Sequence, residues 1–318
     1  MTALRVTTPP SPPPLPGGGG TDQAARLRAL VHAAEPAPAP SPRRARAIAI
    51  ASGKGGVGKT NLAVNLAIEL ARAGTRVALL DADLSLANAD LLCGLPVGPH
   101  LGHLLDDDVP LDRIAREVTP RFTLLPGGSG VADLADLDPR RRARLAHALD
   151  EIERRHDLVL IDCGAGIGPT VLWLMDEADR TLIVTTPEPT ALADGYALIK
   201  CAAAGTPRHA GERRWSLVVN HARSCEQARA VHARLDAVCA RFLGISVPLA
   251  GWVPVDAAVP DAVIARTPFA LREPRCPATR AVRGLAGSLS SARDDDPIAI
   301  RTNPPLMARL FGLRRASR

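Results

Sequence analysis

GKGGVGKT, Gly53 to Thr60, is the stretch that decides the fold. It fits G-x-x-x-x-G-K-T and stands between a short apolar run, AIAIA (47–51), and a helical pattern from about Lys59 to Arg72. A loop that binds phosphate must turn several backbone N–H groups inward, which requires glycine where a side chain would collide. The helix behind it adds its positive N-terminal end. The spacing therefore predicts a cradle from Gly53, Lys54, Gly55, Gly56, Val57 and Gly58, continuing into Lys59, Thr60 and Asn61. In such a cradle the second lysine, Lys59, reaches the β- and γ-phosphates of ATP, and the Thr60 hydroxyl faces Mg²⁺.

Outward from the loop, short apolar runs alternate with helical patterns. RVALLD (76–81), FTLLP (122–126), DLVLID (157–162), RTLIVTT (180–186), WSLVVN (215–220) and ISVPLAG (245–251) read as strands. Helices are expected over 139–155 and near 189–204 and 225–241. Near-continuous apolar strands separated by helices indicate a parallel sheet covered on both faces. The expected fold class is α/β, a doubly wound and mainly parallel sheet of the P-loop NTPase kind, in one domain over 46–287. Asp162, closing the strand LVLID, is placed to hold Mg²⁺ through water. DADLSLAN (81–88) puts Asp81 beside the metal region, and a carboxylate there can orient an attacking water.

The 318 residues carry a formal net charge of +6, which favours an anionic partner, nucleic acid or membrane. Aromatic residues make up only 3%, too few for base-stacking platforms along single strands. Of 39 basic residues only Lys54, Lys59 and Lys200 are lysines, and two of those three fall inside the phosphate loop. A compact point charge is wanted there. Six scattered cysteines without a C-x-x-C pair suit reduced thiols better than a disulfide framework or a metal-cluster cradle. No apolar run is long enough to span a bilayer and no signal peptide opens the chain, so a cytoplasmic protein is expected.

Lys54, directly after the first glycine, is more than the basic loop needs. In this form KGGVGKT resembles the deviant Walker A loop of the MinD/ParA ATPases. That resemblance implies an ATP-bound homodimer sandwiching two nucleotides, with Lys54 crossing to the partner's phosphates. It also implies Asp83, the second aspartate of DAD, as the residue that orients water, so that Lys54, Lys59 and Asp83 form the catalytic set. DADLSLANADLLCGL (81–95), LLPGGSGVADLADL (124–137), LVLIDCGAGI (158–167), TTPEPTALADGYALIK (185–200) and LVVNHARS (217–224) narrow the likeness. They resemble the flagellar-number regulators FlhG/FleN, over roughly residues 46–285. Carried over, Asn220 recognises the adenine edge, and the backbone of Pro254, Val255 and Asp256 completes that pocket. Ser85 stands where that family commonly has glycine, and CGAG replaces its alanine-rich stretch after Asp162. A ParA/MinD-like partition or cell-division positioning ATPase, binding DNA or membrane, stays open as the alternative. Scattered arginines usually form a solvated face and no recognition helix is identifiable, so nucleic acid is the weaker partner.

Both ends carry short patterned segments on linkers. Residues 1–20 form a Pro/Gly-rich arm and 35–45 a Pro-rich linker; between them, 21–34 holds TDQAARLRAL, with a helix cap at Thr21 or Asp22. DQAARLR resembles the DQA-type element by which flagellar-number regulators activate the signal-recognition-particle-type GTPase FlhF. That implies roles for Asp22, Gln23, Leu27 and Arg28, with Gln23 nearest the chemistry. A linker over 288–303 leads to the tail 304–318, where Leu306, Met307, Leu310, Phe311 and Leu313 share one helical arc. Apolar residues bordered by arginine suit an in-plane membrane helix. The tail resembles the membrane-targeting helix of MinD and implies reversible attachment to the anionic inner face of the cell membrane.

Overall fold

Burial on both faces shapes the central strand, β1 (Arg46–Ser52), which is buried from Ala47 onward. Its pleat sends Ala47, Ala49 and Ala51 into one core and Ile48 and Ile50 into the other. The computed structural model describes residues 45–83, 87–106, 109–128, 137–204 and 215–291. Ser85, the N-terminal arm and DQA segment, and the C-terminal tail lie outside the described residues.

Beyond β1 the strands are β2 (Val77–Ala82), β3 (Arg116–Thr119), β4 (Phe122–Leu125), β5 (Leu158–Ala165), β6 (Arg180–Thr185), β7 (Trp215–Ala222) and β8 (Leu249–Pro254). They form one sheet in the order β3-β4-β2-β5-β1-β6-β7-β8. All pairs are parallel except β3 with β4, which is antiparallel. The chain builds leftward from β1 to β2, returns to β5, then builds rightward through β6. This reversal at β1 is the topological switch at which α/β sheets place their ligands.

The helices are α1 (Lys59–Arg72), α2 (Ala89–Leu92), α3 (Leu101–Asp106), α4 (Leu111–Ile114), α5 (Pro139–Arg155), α6 (Pro169–Glu177), α7 (Pro189–Ala204), α8 (Cys225–Leu243), α9 (Ala258–Ile264), α10 (Phe269–Arg272) and α11 (Pro277–Ser291). Helices α3 to α8 cover the alanine face of β1, while α1 and α9 to α11 cover the isoleucine face. Helix α1 is buried almost throughout, and two of its polar residues, Asn65 and Glu69, are bonded to other helices. Asn65 Oδ1 accepts from Ala270 N at 2.8 Å. The buried carboxylate of Glu69 is held by Arg72 at 2.7 Å and by Arg283 of α11 at 2.7 Å. The phosphate-loop helix is thereby fixed to α10 and α11.

The observed elements match the expected α/β class but differ in detail, and helices α6 and α9 to α11 are not among those expected. The last expected strand begins later, at Leu249, because Gly244 ends α8 in a left-handed turn and Val247 N is held by Asp236 at 2.8 Å. The stretch between β2 and β4 folds into α2, α3, α4 and the antiparallel β3, too short to leave a periodic signal. The last helix runs to Ser291, past the expected boundary at 287.

His156 closes the far end of α5. Its Nδ1 donates to Ile152 O at 2.9 Å, which leaves Nε2 to accept from the Thr123 hydroxyl at 3.1 Å. The neutral ring satisfies both contacts. Burial pushes its pKa below the ordinary value; the Ile152 carbonyl and Asp157 oppose that, while Arg76 and Arg155 add to it. A depressed imidazole pKa stabilises the fold above the ordinary value of about 6.5, and the stabilisation is lost as pH falls through the folded pKa. The unfolding free energy from urea titration should therefore drop between about pH 7 and pH 5, by at most ~1.4 kcal/mol per pH unit for this group. His156→Gln should flatten that slope; an unchanged slope would assign the acid sensitivity elsewhere.

Candidate active site

The loop after β1 is shaped by two glycines that no other residue could replace. Gly58, at φ 83°, opens α1, and a β-carbon there would lie 2.4 Å from Asn220 Nδ2. A β-carbon on Gly53 would lie 2.0 Å from the carbonyl oxygen of Asp194, so the loop's start is pressed against the backbone of α7. Helix α1 begins without a capping side chain and without an acidic residue in its first turn. Its positive end is therefore left uncompensated, as an anion site requires.

Lys59 and Asp162 meet at the carboxyl edge of the sheet, where β1 and β5 are neighbours. Lys59 Nζ lies 3.0 Å from Asp162 Oδ1, with side-chain exposures of 7% and 0%. Burial raises the Asp162 pKa, while Lys59 and the Thr60 hydroxyl pull it down and the nearby charge of Asp83 adds to the rise. Its second oxygen, Oδ2, is buried without a hydrogen-bond partner. A buried oxygen in that condition costs free energy unless a cation or water takes it. Among the described residues, no three His, Cys, Asp or Glu side chains group to hold a metal by themselves. Mg²⁺ bound together with phosphate oxygens needs only one or two protein oxygens, so Thr60 and Asp162 fit that ion.

Asp81, expected beside the metal region, is held by backbone N–H groups. It pairs in register with Asp162 across β2 and β5. Both its oxygens are engaged, however: Oδ1 accepts from Asp83 N at 3.2 Å, and Oδ2 accepts from Asn88 N and Ala89 N at 3.1 Å each. Burial, then the charge of Asp162, pushes its pKa up to about 7 against those three N–H groups. Asp81 is a clamp on the segment that follows β2. Asp83, two residues on, brings its carboxylate over the end of β5, where a β-carbon on Gly164 would lie 3.9 Å from its Oδ1.

Lys54 folds back onto its own chain. Its Nζ contacts Glu188 Oε2 and Thr190 Oγ1, each at 3.1 Å, and the ion pair is exposed, 39% on Lys54 and 64% on Glu188. Exposed pairs of this kind contribute about 0–1 kcal/mol, so the ammonium is easily released. Glu188 and Thr190 were not found by sequence reasoning, since nothing in PEPT marks a contact with a loop 134 residues earlier.

Asn220 stands at the end of β7 and supports the loop itself: Nδ2 donates to Val57 O at 2.8 Å, and Oδ1 accepts from His221 N at 3.0 Å. Of the expected base pocket, Val255 is 62% exposed and its N–H bonds Ala222 O at 3.0 Å. The Asp256 carboxylate caps two helices, accepting from Ala258 N of α9 at 3.0 Å and Ala278 N of α11 at 2.9 Å. Partial burial opposes them, but these N–H groups, with Cys276 and Arg280, hold its pKa low. Only its backbone is left for a base.

Sheet, loop, buried lysine–aspartate pair and switch-point location define a P-loop ATPase. A protein-family profile described as an AAA domain matches residues 45–203. The antiactivator FleN of Pseudomonas aeruginosa is 36% identical over 239 residues, covering 75% of this chain and 84% of that protein. The flagellum site-determining protein YlxH of Helicobacter pylori is 35% identical, covering 56% of this chain and 61% of its own length. Among solved structures, the MinC:MinD cell division complex of Aquifex aeolicus superposes with a TM-score of 0.62 at 26% identity, covering 78% of this chain and 96% of that one. The chain belongs to the FlhG/FleN family of MinD/ParA-type P-loop ATPases.

The buried pair gives a direct test. Lys59→Met leaves Asp162 buried beside no cation, and Asp162→Leu leaves the ammonium unpaired; each should cost about 3 kcal/mol in nucleotide-free protein. The double variant should be less destabilised than the sum of the two, by at least ~1 kcal/mol in urea unfolding. Strict additivity would show that the pair is not coupled.

Proposed function

We propose that this ATPase is a dimerising, membrane-associated switch that sets flagellar number and placement and stimulates a signal-recognition-particle-type GTPase. The observation that carries the reading is the pair of lysines in one phosphate loop. Lys59 is buried and fixed, whereas Lys54 is exposed and held only by an easily broken contact. A cation so placed is suited to act on a nucleotide other than its own, as a finger supplied in trans does. Ile167 and Val255, exposed at the carboxyl ends of β5 and β8, give the loop edge the apolar contacts that closure against a second copy would bury.

In the proposed cycle the backbone of 53–60 takes the phosphates and draws Lys59 from Asp162 to the β- and γ-oxygens. Thr60 and the vacated Asp162 carboxylate would hold Mg²⁺, which would supply positive charge against that building up on the transferred phosphoryl group. Asp83 orients the attacking water, Lys54 of each copy reaches the partner's phosphates, and Asn220 with the backbone of 254–256 receives the base. No described helix is long and apolar enough to cross a membrane. Attachment is therefore assigned to the tail 304–318, and GTPase stimulation to the DQA segment at 21–34, on sequence grounds.

Lys54→Ala should keep ATP binding, lose ATP-dependent dimerisation in light scattering, and lower turnover on the order of 10³-fold. ATP-dependent sedimentation with anionic vesicles should vanish with it. A variant that still dimerises would sink the trans role, and ATP-dependent binding to duplex DNA instead of vesicles would favour a partition ATPase. A synthetic peptide of residues 20–34 should raise GTP hydrolysis by the cognate GTPase, with Gln23→Ala weakening the effect; no stimulation by the native peptide would refute that branch.

A further inference from the structure

Three described non-glycine residues have a left-handed backbone: Arg121 at φ 70°, His221 at φ 55° and Arg266 at φ 49°. Two have local explanations. Arg121 lies in the two-residue turn between β3 and β4, where hairpins favour positive φ. Arg266 directly follows the end of α9, the position at which helices commonly stop in this conformation. His221 is neither in a turn nor at a helix end; it lies inside β7.

The strand is irregular at that point. Val219 pairs with Trp252 and Ala222 pairs with Pro254, so β7 spends one residue more than β8 over the same span. This is a bulge, a device that re-aims side chains and occurs beside active sites. In a regular strand the side chains of residues 220 and 221 would point to opposite faces. Here both reach the phosphate loop. A β-carbon on Gly58 would meet Asn220 Nδ2 at 2.4 Å and His221 Nε2 at 3.6 Å. Asn220 is buried and supports the loop, while the His221 ring is exposed beside it. The next residue, Ala222, accepts the N–H of exposed Val255 at 3.0 Å, which ties the β8 loop to the same edge. The left-handed backbone belongs to the bulge and is held by the Asn220 Oδ1 contact to His221 N at 3.0 Å; such strained positions cluster at ligand sites.

We propose that His221 is a binding residue for the nucleoside half of the nucleotide, its imidazole packed against the base where it leaves the phosphate loop. The proposal rests on the nucleotide-site reading above and adds to it the contact that tells a nucleotide from bare phosphate. The loop's N–H groups hold the phosphates whether or not a base is attached. The exposed His221 ring, set beside the loop by the bulge, would gain a stacking partner when a base is present. Ring-on-base contact is the sort of interaction that tolerates different bases while strengthening all of them.

The test compares Mg-ATP with magnesium tripolyphosphate, which lacks base and ribose, as ligands of the full chain by calorimetry. His221→Gly relieves the left-handed strain and His221→Asn tolerates it, so neither should unfold the protein. Both variants should bind ATP ~5-fold more weakly or worse, and bind tripolyphosphate as the native chain does. Nucleotide-free His221→Gly should unfold at the same or a higher temperature than native protein. Unchanged ATP affinity, or equal weakening of both ligands, would overturn the proposal. Native protein that binds neither ligand would remove the nucleotide reading itself, and this proposal with it.

Discussion

A buried ammonium 3.0 Å from a buried carboxylate is the constraint around which this molecule is arranged. Neither Lys59 nor Asp162 could stay charged there alone, because removing an ion from water costs several kcal/mol. The pair needs β1 and β5 adjacent and in register, with a loop that leaves β1 and turns at once into α1. It needs α1 buried, and α1 in turn needs partners for Asn65 and Glu69. Much of the isoleucine-side packing, including α10 and α11, follows from holding one helix end over one strand end. The arrangement is also unfinished, since Asp162 keeps a second oxygen buried without a partner. Electrostatics that are complete only when phosphate and a cation arrive are what a nucleotide switch requires.

Around that fixed pair the surrounding groups differ in how firmly they are held. Asp81 is immobilised by three backbone N–H bonds, so Asp83, Asn88 and Ala89 are tied to the strand that carries it. Lys54 is at the opposite extreme, exposed and held by Glu188 and Thr190. Free energy for nucleotide binding need not be diverted to extract Lys54, whereas moving the segment after β2 must disturb Asp81. The site therefore divides into a rigid half that binds and a loosely held half that can respond.

The sequence made the core legible because its signals are local. Glycines at fixed spacing, apolar runs of strand length and a carboxylate closing LVLID each report on a few adjacent residues, and the structure places them as expected. Helices α5 and α7 fall on their expected spans because each carries several turns of periodic burial, and α1 because it is one unbroken run of helix formers behind the loop. What was not legible is contact across the chain. Glu188 against Lys54, Asn220 under Val57 and Asp256 across two helix ends are set by strand order, which no local window contains. Asp81 shows the same limit within a motif: the DAD pattern fixes where its carboxylate starts, but the backbone that folds over it decides what it binds. His221 was invisible for a related reason, since a bulge is a mismatch between two strands and belongs to neither sequence alone.

Asp256 shows how the base side of the site connects to the end of the fold. Its backbone lies in the loop after β8, and its carboxylate supplies a cap to α9 and to α11 together. Helix α11 is also gripped from the phosphate side, by Glu69 of α1 through Arg283. One helix is thus fastened at its first turn to the base loop and further along to the phosphate helix. A nucleotide that engages both segments sets the position of α11 from two points, which fixes its direction as well as its place. On the proposed reading phosphate alone would act through only one of the two fastenings, and the base through the second.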